Sequence, residues 1–131
     1  MKNRRGHRIG DLQLEILKVL WDRQEAAVAE VGEALRRKRK RPVAYTTAAT
    51  MLRKMEDRGL VKHRAEGRRF IYRAAVAPGA VASGMATHVL DRLFEGRLAD
   101  MVSHLLTERE VSREELDEIE RLVRARKEGQ S

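Results

Sequence analysis

Residues 45–73 have the sequence YTTAATMLRKMEDRGLVKHRAEGRRFIYR, which divides into a helix and a hairpin. We expect Thr46 to be the N-cap of the helix, because its hydroxyl can accept from a free N–H of the first turn, and Gly59 to end it. The apolar face repeats at helical spacing at Ala48, at Met51 or Leu52, and at Met55. The remaining positions are mostly short hydroxyls and cations, which predicts a polar outer face.

The second half of this stretch predicts two strands, at residues 60–64 and 69–73, joined by a turn at residues 66–68. Arg68 and Arg69 lie at or beside the turn, so the hairpin has a basic tip. A helix with hydroxyls and cations on its outer face, followed by such a hairpin, suits a nucleic-acid groove.

Upstream, the pattern predicts two more helices. Asp11 favours the start of the first, from about residue 10 or 11 to Arg23, and the second ends near Arg37 after a short strand at residues 26–28. The first helix has an apolar stripe at Leu12, Ile16, Leu17, Leu20 and Trp21, and the second has one at Val28, Val31, Ala34 and Leu35. The order helix, helix, helix, strand, strand over residues 9–77 is that of a winged helix-turn-helix.

Residues 78–131 predict three amphipathic helices. The first runs from Pro78 to Phe94, and the last begins at Ser112, which has capping-box spacing to Glu115. Short helices with wide apolar faces cannot cover themselves within one copy, so we predict a homodimer through this region. The predicted dimerisation residues are Met85, Val89, Leu93, Phe94, Leu98, Met101, Val102, Leu105, Leu116, Ile119 and Leu122.

Charge is distributed unevenly along the chain. Residues 1–77 hold 20 Lys and Arg against 9 Asp and Glu, whereas residues 78–131 hold 8 against 11. The basic half predicts a polyanion-binding domain and the acidic half a partner-binding one. Residues 1–8 are predicted to be a basic arm, and the run 36–41 an extended, exposed segment that either neutralises phosphates or is a solvated loop.

Composition excludes several classes of protein. The chain has 131 residues, enough for one domain with an appendage, and no cysteine for a disulfide, thiolate metal site or thiol nucleophile. It has no apolar run long enough to cross a bilayer, so we expect no membrane insertion and a cytoplasmic location. No catalytic arrangement stands out, so we expect neither an enzyme nor a cofactor. His88 and His104 are expected to be structural rather than metal ligands.

Seven segments of the chain together resemble the penicillinase-repressor (BlaI/MecI/CopY) family. These segments are Leu17-Lys18-Val19-Leu20-Trp21, Ala29-Glu30-Val31 with Ala34-Leu35, Ala44-Tyr45-Thr46-Thr47-Ala48, Met51-Leu52, Leu60-Val61, Glu66-Gly67-Arg68 with Tyr72-Arg73, and Asp91-Arg92-Leu93-Phe94-Glu95-Gly96. The resemblance spans residues 9 to about 123. It implies a homodimeric repressor on a two-fold operator of double-stranded DNA, with the third helix in the major groove and the wing on the flanking backbone.

The resemblance also implies a route of release. In relatives, a membrane-bound sensor metalloprotease, or a protease that it activates, cuts an Asn-Phe bond near the end of the first dimerisation helix. Phe94 matches that Phe, whereas Leu93 stands where Asn is expected, so cleavage at Leu93–Phe94 is a hypothesis. Copper-responsive relatives have a C-terminal Cys-x-Cys pair, which this cysteine-free chain lacks.

The residues predicted to contact DNA are Tyr45, Thr46, Thr47, Thr50, Arg53, Lys54, Arg68, Arg69, Arg39, Lys40 and Arg41. Lys54 and Arg58 are equally consistent with surface ion pairs, and Tyr45 with packing. Two other classes of binding protein remain open. One is a winged-helix module for an acidic protein partner or nonspecific DNA, and the other is a ligand-binding repressor of a different winged-helix family.

Overall fold

The computed structural model describes residues 9–39 and 43–130. The chain forms two compact units, Met1–His88 and Val89–Ser131. The helices and strands, in chain order, are α1 (Asp11–Arg23), β1 (Ala26–Ala27), α2 (Val28–Arg39), α3 (Tyr45–Asp57), β2 (Val61–Glu66), β3 (Arg69–Ala74), α4 (Pro78–Phe94), α5 (Leu98–Glu108) and α6 (Arg113–Gly129).

The first unit is a winged helix-turn-helix, as the sequence predicted. Three helices precede an antiparallel sheet with strand order β1-β3-β2. The short strand β1 pairs Ala26 with Tyr72 and Ala27 with Ile71, which fastens the hairpin to the segment between α1 and α2. The sheet therefore has three strands, and β2 and β3 form its wing.

The core of this unit lies between the three helices and the sheet. Apolar side chains at helical spacing on α1, α2 and α3 turn inward, and the exposed fraction of each is 1 % or less: Ile16, Leu17, Leu20, Val31, Leu35, Ala48, Leu52 and Met55. Trp21 packs at the edge of this core, and its indole N–H donates to the carbonyl oxygen of Val76 at 2.9 Å. The predicted stripes are thus confirmed, and on α3 it is Leu52 rather than Met51 that is fully buried.

Two backbone turns join α3 to the wing and the two strands of the wing. Gly59 has φ +78°, and the amide of Leu60 donates to the carbonyl of Met55, which ends α3 as predicted. Gly67 has φ +63° in the turn between β2 and β3. A side chain would strain the backbone in both conformations, so glycine is the residue that these turns require.

The prediction that Thr46 is the N-cap of the third helix was wrong. Helix α3 begins at Tyr45, and Ala44 is its N-cap without a side-chain hydrogen bond. The amide of Ala48 donates to the carbonyl of Ala44 at 3.1 Å, so the helical hydrogen bonds begin two residues before Thr46. Thr46 therefore lies inside the first turn.

The prediction of an extended basic run was also wrong for residues 36–39, which continue α2. Glu33 lies one turn earlier and receives hydrogen bonds from Arg36 and Arg37, so its carboxylate offsets the repulsion between them. Arg39 reaches α1, where it pairs with Glu15 at 3.0 Å. All four cations are exposed, as predicted. Lys40, Arg41 and the predicted basic arm 1–8 lie outside the described residues.

The second unit contains the end of α4 together with α5 and α6. Ser112 caps α6, because its hydroxyl oxygen accepts from the amide of Glu115 at 3.0 Å, which confirms the predicted cap. Helix α6 continues to Gly129, seven residues beyond Leu122, the last of the predicted dimerisation residues. Among the described residues, no helix is both long and apolar enough to cross a membrane.

Candidate nucleic-acid interface

The outer face of α3 is exposed and polar. Its inner face is held by Ala48, Leu52 and Met55, whose side chains are completely buried. Because a helix is amphipathic at this spacing, the opposite side must face away from the core. The predicted DNA-contacting residues of α3 are all exposed: Tyr45, Thr46, Thr47, Thr50, Arg53 and Lys54.

Three of the predicted cations have no acidic partner among the described residues. Within residues 9–39 and 43–130, no ion pair involves Arg53, Lys54 or Arg68. Arg53 and Lys54 are on α3, and Arg68 is in the turn of the wing. Their charges are thus available to an anionic ligand without first breaking a bond inside the protein.

Two other predicted cations are already paired. Arg39 is bonded to Glu15 at 3.0 Å, and Arg69 is 3.3 Å from Glu66. Arg64 also contacts Glu66, at 3.3 Å, and Glu25 at 2.6 Å. The hydrogen bond from Arg64, and next that from Arg69, hold the pKa of the Glu66 carboxyl below its ordinary value. These exposed pairs are weak and can exchange for phosphate.

One flank of α3 is fastened to α1 by Gln13. The side-chain amide of Gln13 donates from Nε2 to Sδ of Met51 at 3.3 Å, and its Oε1 accepts from Nη1 of Arg58 at 2.9 Å. The latter contact places Arg58 beside α1, so this residue is not part of the set of unpaired cations.

The opposite flank of α3 contacts the wing through a cluster that the sequence did not reveal. Nδ1 of His63, on β2, is 2.7 Å from Oε1 of Glu56, on α3. The imidazole stacks on Phe70 and lies beside Tyr72, which is buried. Burial, and next the charge of Glu56, raise the pKa of Tyr72. The only sequence signal was strand alternation, which puts His63 on the same side of β2 as buried Val61.

The predicted dimerisation residues are only partly covered by the neighbouring helices of a single copy. Met101, Phe94 and Ile119 are half-buried, whereas Leu93 and Leu98 are largely exposed. Helices α5 and α6 border an open depression of about 660 Å³, lined by Leu98, Ala99, Val102, Ser103, Leu106, Thr107 and Val123. The further exposed apolar side chains are Val89, Leu105, Leu116 and Leu122. Met85 is partly buried and packs against the core of the first unit.

His88 and His104, which were predicted to be structural, lie on α4 and α5. The Phe94 ring lies 5.7 Å from that of His104. Over the part of the chain that the structure describes, no group of three or more His, Cys, Asp or Glu side chains is arranged to hold a metal ion.

Comparison with known proteins identifies the family. The penicillinase repressor family model matches residues 9–125. The chain is 28% identical to the penicillinase repressor of Bacillus licheniformis over 119 residues, which is 91% of each protein.

Two solved structures are similar to this chain. The chain is similar to the DNA-binding domain of the repressor BlaI, with 29% identity, 56% of this chain and 87% of that chain covered, and a TM-score of 0.49. It shares its fold with hsRosR in the hsRosR-S4 complex, at 19% identity and a TM-score of 0.56, over 79% of this chain and 99% of that one. Because the family model covers nearly the whole chain, this protein belongs to the penicillinase repressor family, and its winged helix-turn-helix is that of a DNA-binding transcriptional repressor.

Proposed function

We propose that this protein represses transcription as a homodimer bound to a two-fold DNA operator in the cytoplasm. The observation that carries the proposal is the outer face of α3, where hydroxyls and unpaired cations lie opposite a fully buried apolar face. A rigid helix with such a face fits the major groove of DNA. The wing then reaches the sugar-phosphate backbone beside the groove.

The side chains of α3 and the wing have different roles in this proposal. Arg53 binds guanine through its forked guanidinium, and Thr46, Thr47 and Thr50 donate to phosphates or pack their methyl groups on thymine. Tyr45 and Lys54 donate to phosphates. Arg68 and Arg69 at the wing contact the flanking backbone, which positions the protein without reading sequence.

The basic residues at the end of α2 add phosphate contacts. Arg39 is on the last turn of α2, and Lys40 and Arg41 follow it in the sequence. The pair between Arg39 and Glu15 leaves about a third of each side chain exposed, so a phosphate can compete for the guanidinium. Each phosphate that a cation neutralises steepens the dependence of log affinity on log salt by about 0.9.

The dimer interface in this proposal is the helical region of residues 78–131, most of which lies in the second unit. Its exposed leucines and valines lie on α4, α5 and α6 and leave an open apolar depression. A second copy can cover these side chains through a closed two-fold contact. Two-fold symmetry then requires the paired α3 helices to be about 34 Å, one DNA turn, or a multiple of it apart.

Release by proteolysis is a further part of the proposal. The bond between Leu93 and Phe94 is at the last residue of α4, and the Leu93 side chain is 72% exposed. Glu95 and Gly96 both have positive φ, so the helix ends immediately after this bond. A sensor protease needs to unwind only the last turn to reach it. Incubation with the cognate sensor followed by mass mapping tests this step, and an intact chain would rule it out.

Footprinting of the full chain on its own upstream DNA, over a series of salt concentrations, tests the proposal as a whole. We expect protection of an inverted repeat with half-sites one or two turns apart, and a steep loss of affinity with salt. Diffuse, salt-sensitive protection without a repeat would show a nonspecific DNA-binding protein instead. Binding to random duplex DNA that is insensitive to salt would favour a module for an acidic protein.

A further inference from the structure

The contact between α3 and the wing differs from the other polar contacts of the molecule. Nδ1 of His63 lies 2.7 Å from one oxygen of Glu56 and 3.0 Å from the other. Both side chains are about two-thirds shielded from solvent. Glu56 is in the last turn of α3 and His63 is the third residue of β2, so this contact joins the two elements that are proposed to bind DNA.

The imidazole of His63 is also held from the hairpin side. Its ring is 4.0 Å from that of Phe70, with an angle of 20° between the planes, and 5.4 Å from that of Tyr72. His63 is directly opposite Tyr72 in the strand register. The ring is therefore bonded to a helix carboxylate and stacked on the aromatic side chains of the wing, so it cannot move independently of either.

The remaining ion pairs of the wing do not make this connection. Arg64 bonds Glu25, between α1 and β1, and Glu66, within β2, and these side chains are about half exposed. Arg69 pairs only with Glu66, across the turn. Among the described residues, the contact between Glu56 and His63 is the polar side-chain contact that joins α3 to the hairpin.

We propose that Glu56 and His63 are positioning residues that hold the wing at a fixed angle to α3, so that α3 and Arg68 and Arg69 engage DNA as one body. This inference rests on the proposed operator binding. Glu56 does not itself bind DNA in this scheme, because a carboxylate beside phosphates is repelled. Its contribution is to restrict the motion of the hairpin in the free protein. The wing contacts to DNA then cost less conformational entropy.

The first test uses the free protein and needs no DNA. The variants are Glu56→Ala, which removes the acceptor, Glu56→Gln, which keeps an oxygen that can accept from Nδ1–H, and Glu25→Ala, which removes the acid paired with Arg64. In Glu56→Ala we expect hairpin amides to exchange with solvent about tenfold faster than in the native chain. The conservative Glu56→Gln change and the Glu25→Ala control should leave these amides close to native.

The second test measures operator binding by the full chain. We expect Glu56→Ala to lose protection of the flanking backbone, while the α3 contacts in the groove remain. Loss of two wing phosphate contacts makes the salt slope shallower by about two. Electrostatics alone would instead predict tighter binding by each Glu variant, because each replacement removes one negative charge from a DNA-binding protein.

A double-mutant cycle then shows whether the wing arginines act through this pair. Replacing Arg68 and Arg69 together by Ala should weaken binding in the native and Glu25→Ala backgrounds, and have little further effect in Glu56→Ala. Equal losses in all three backgrounds, or native hairpin exchange in Glu56→Ala, would overturn the inference. If the native chain protects no operator at all, the proposed function is wrong, and the exchange experiment still decides whether Glu56 holds the wing.

Discussion

The two units of this chain complete their apolar cores in different ways. Each of α1, α2 and α3 buries three or four side chains, whereas α5 and α6 bury none. The helices of the first unit pack on one another and on a sheet, so their apolar faces meet inside one copy. The second unit has helices of similar length but no sheet, and its leucines other than Leu90 remain exposed. This difference indicates that the first unit completes its core within one copy, and it supports the proposal that a second copy covers the helices of the second unit.

The largest expected effect is from Leu52→Ala, in the core of the first unit. The side chain is completely buried, so truncation should lower the free energy of unfolding by about 2–5 kcal/mol. Urea denaturation followed by Trp21 fluorescence measures this, because the single tryptophan is on α1. The comparison variant, Leu122→Ala, truncates a leucine that is 64% exposed in one copy, so it should leave the Trp21 transition unchanged at protein concentrations below those at which the chain dimerises. Similar shifts for both variants under these conditions would show that the two units are not differently packed.

The second-largest expected effect is dissociation of the dimer by a charge on the open face of the second unit. Leu105 on α5 is exposed in one copy, and Leu105→Asp would place a carboxylate in the proposed interface. We expect the dimer dissociation constant to rise about 100-fold or more, because burying an unpaired carboxylate in the interface loses its hydration free energy. Sedimentation equilibrium measures this. Lys18→Asp, on the exposed side of α1, is the control, and an unchanged dimer in Leu105→Asp would contradict the proposed interface.

Within the first unit, Arg53→Ala and Arg68→Ala should separate sequence reading from positioning. Loss of a guanine contact by Arg53 should relax discrimination at one operator position by about 1–3 kcal/mol. Loss of Arg68 should weaken binding equally on all sequences and reduce the salt slope by about one. Binding titrations on an operator and on single-base variants measure both. Identical profiles for the two variants would refute this division of roles.

Acid pH should have the smallest effect. Hydrogen bonds from Arg64 to Glu66 and from Arg36 to Glu33 hold both carboxyl pKa values below the ordinary 4.5. Their stabilisation is therefore complete above pH 4.5 and is lost as the pH falls through the lower folded-state values. We expect the urea midpoint of unfolding, followed by Trp21 fluorescence, to fall slightly as the pH is lowered. The fall should be smaller in Glu66→Gln. Glu110→Gln, at an acid without an ion pair in the described chain, should behave like the native protein.

Local patterns were sufficient to predict the order of the helices and strands. The 3.6-residue spacing of Ile16, Leu17 and Leu20 marked the inner face of α1, and Gly59 marked the end of α3. Ser112 was identified as a cap because its partner amide is only three residues away. Thr46 was misassigned because the capping rule looks for a side-chain acceptor, whereas the observed N-cap, Ala44, has none and only its carbonyl accepts, from the amide of Ala48.

Pairing between distant residues was not predictable in the same way. The sequence presented Arg36–Arg41 as one run, but Arg39 bonds Glu15, which is 24 residues away. Similarly, nothing in the sequence connected Glu56 with His63, because their contact depends on how the wing packs against α3. The predicted DNA contacts on α3 required only the helical period, and their identity as contacts stays a prediction.

The sequence was sufficient to suggest the family, through its resemblance over seven segments. It also predicted the winged helix-turn-helix order and the apolar faces of the last three helices, because these follow from spacing along short stretches of chain. Only the packed structure shows which of the described cations have an acidic partner, which apolar faces are covered within one copy, and how the wing is attached to α3. The physical reason is that burial and ion pairing depend on distances between side chains that are far apart in sequence. Packing of the whole core sets those distances.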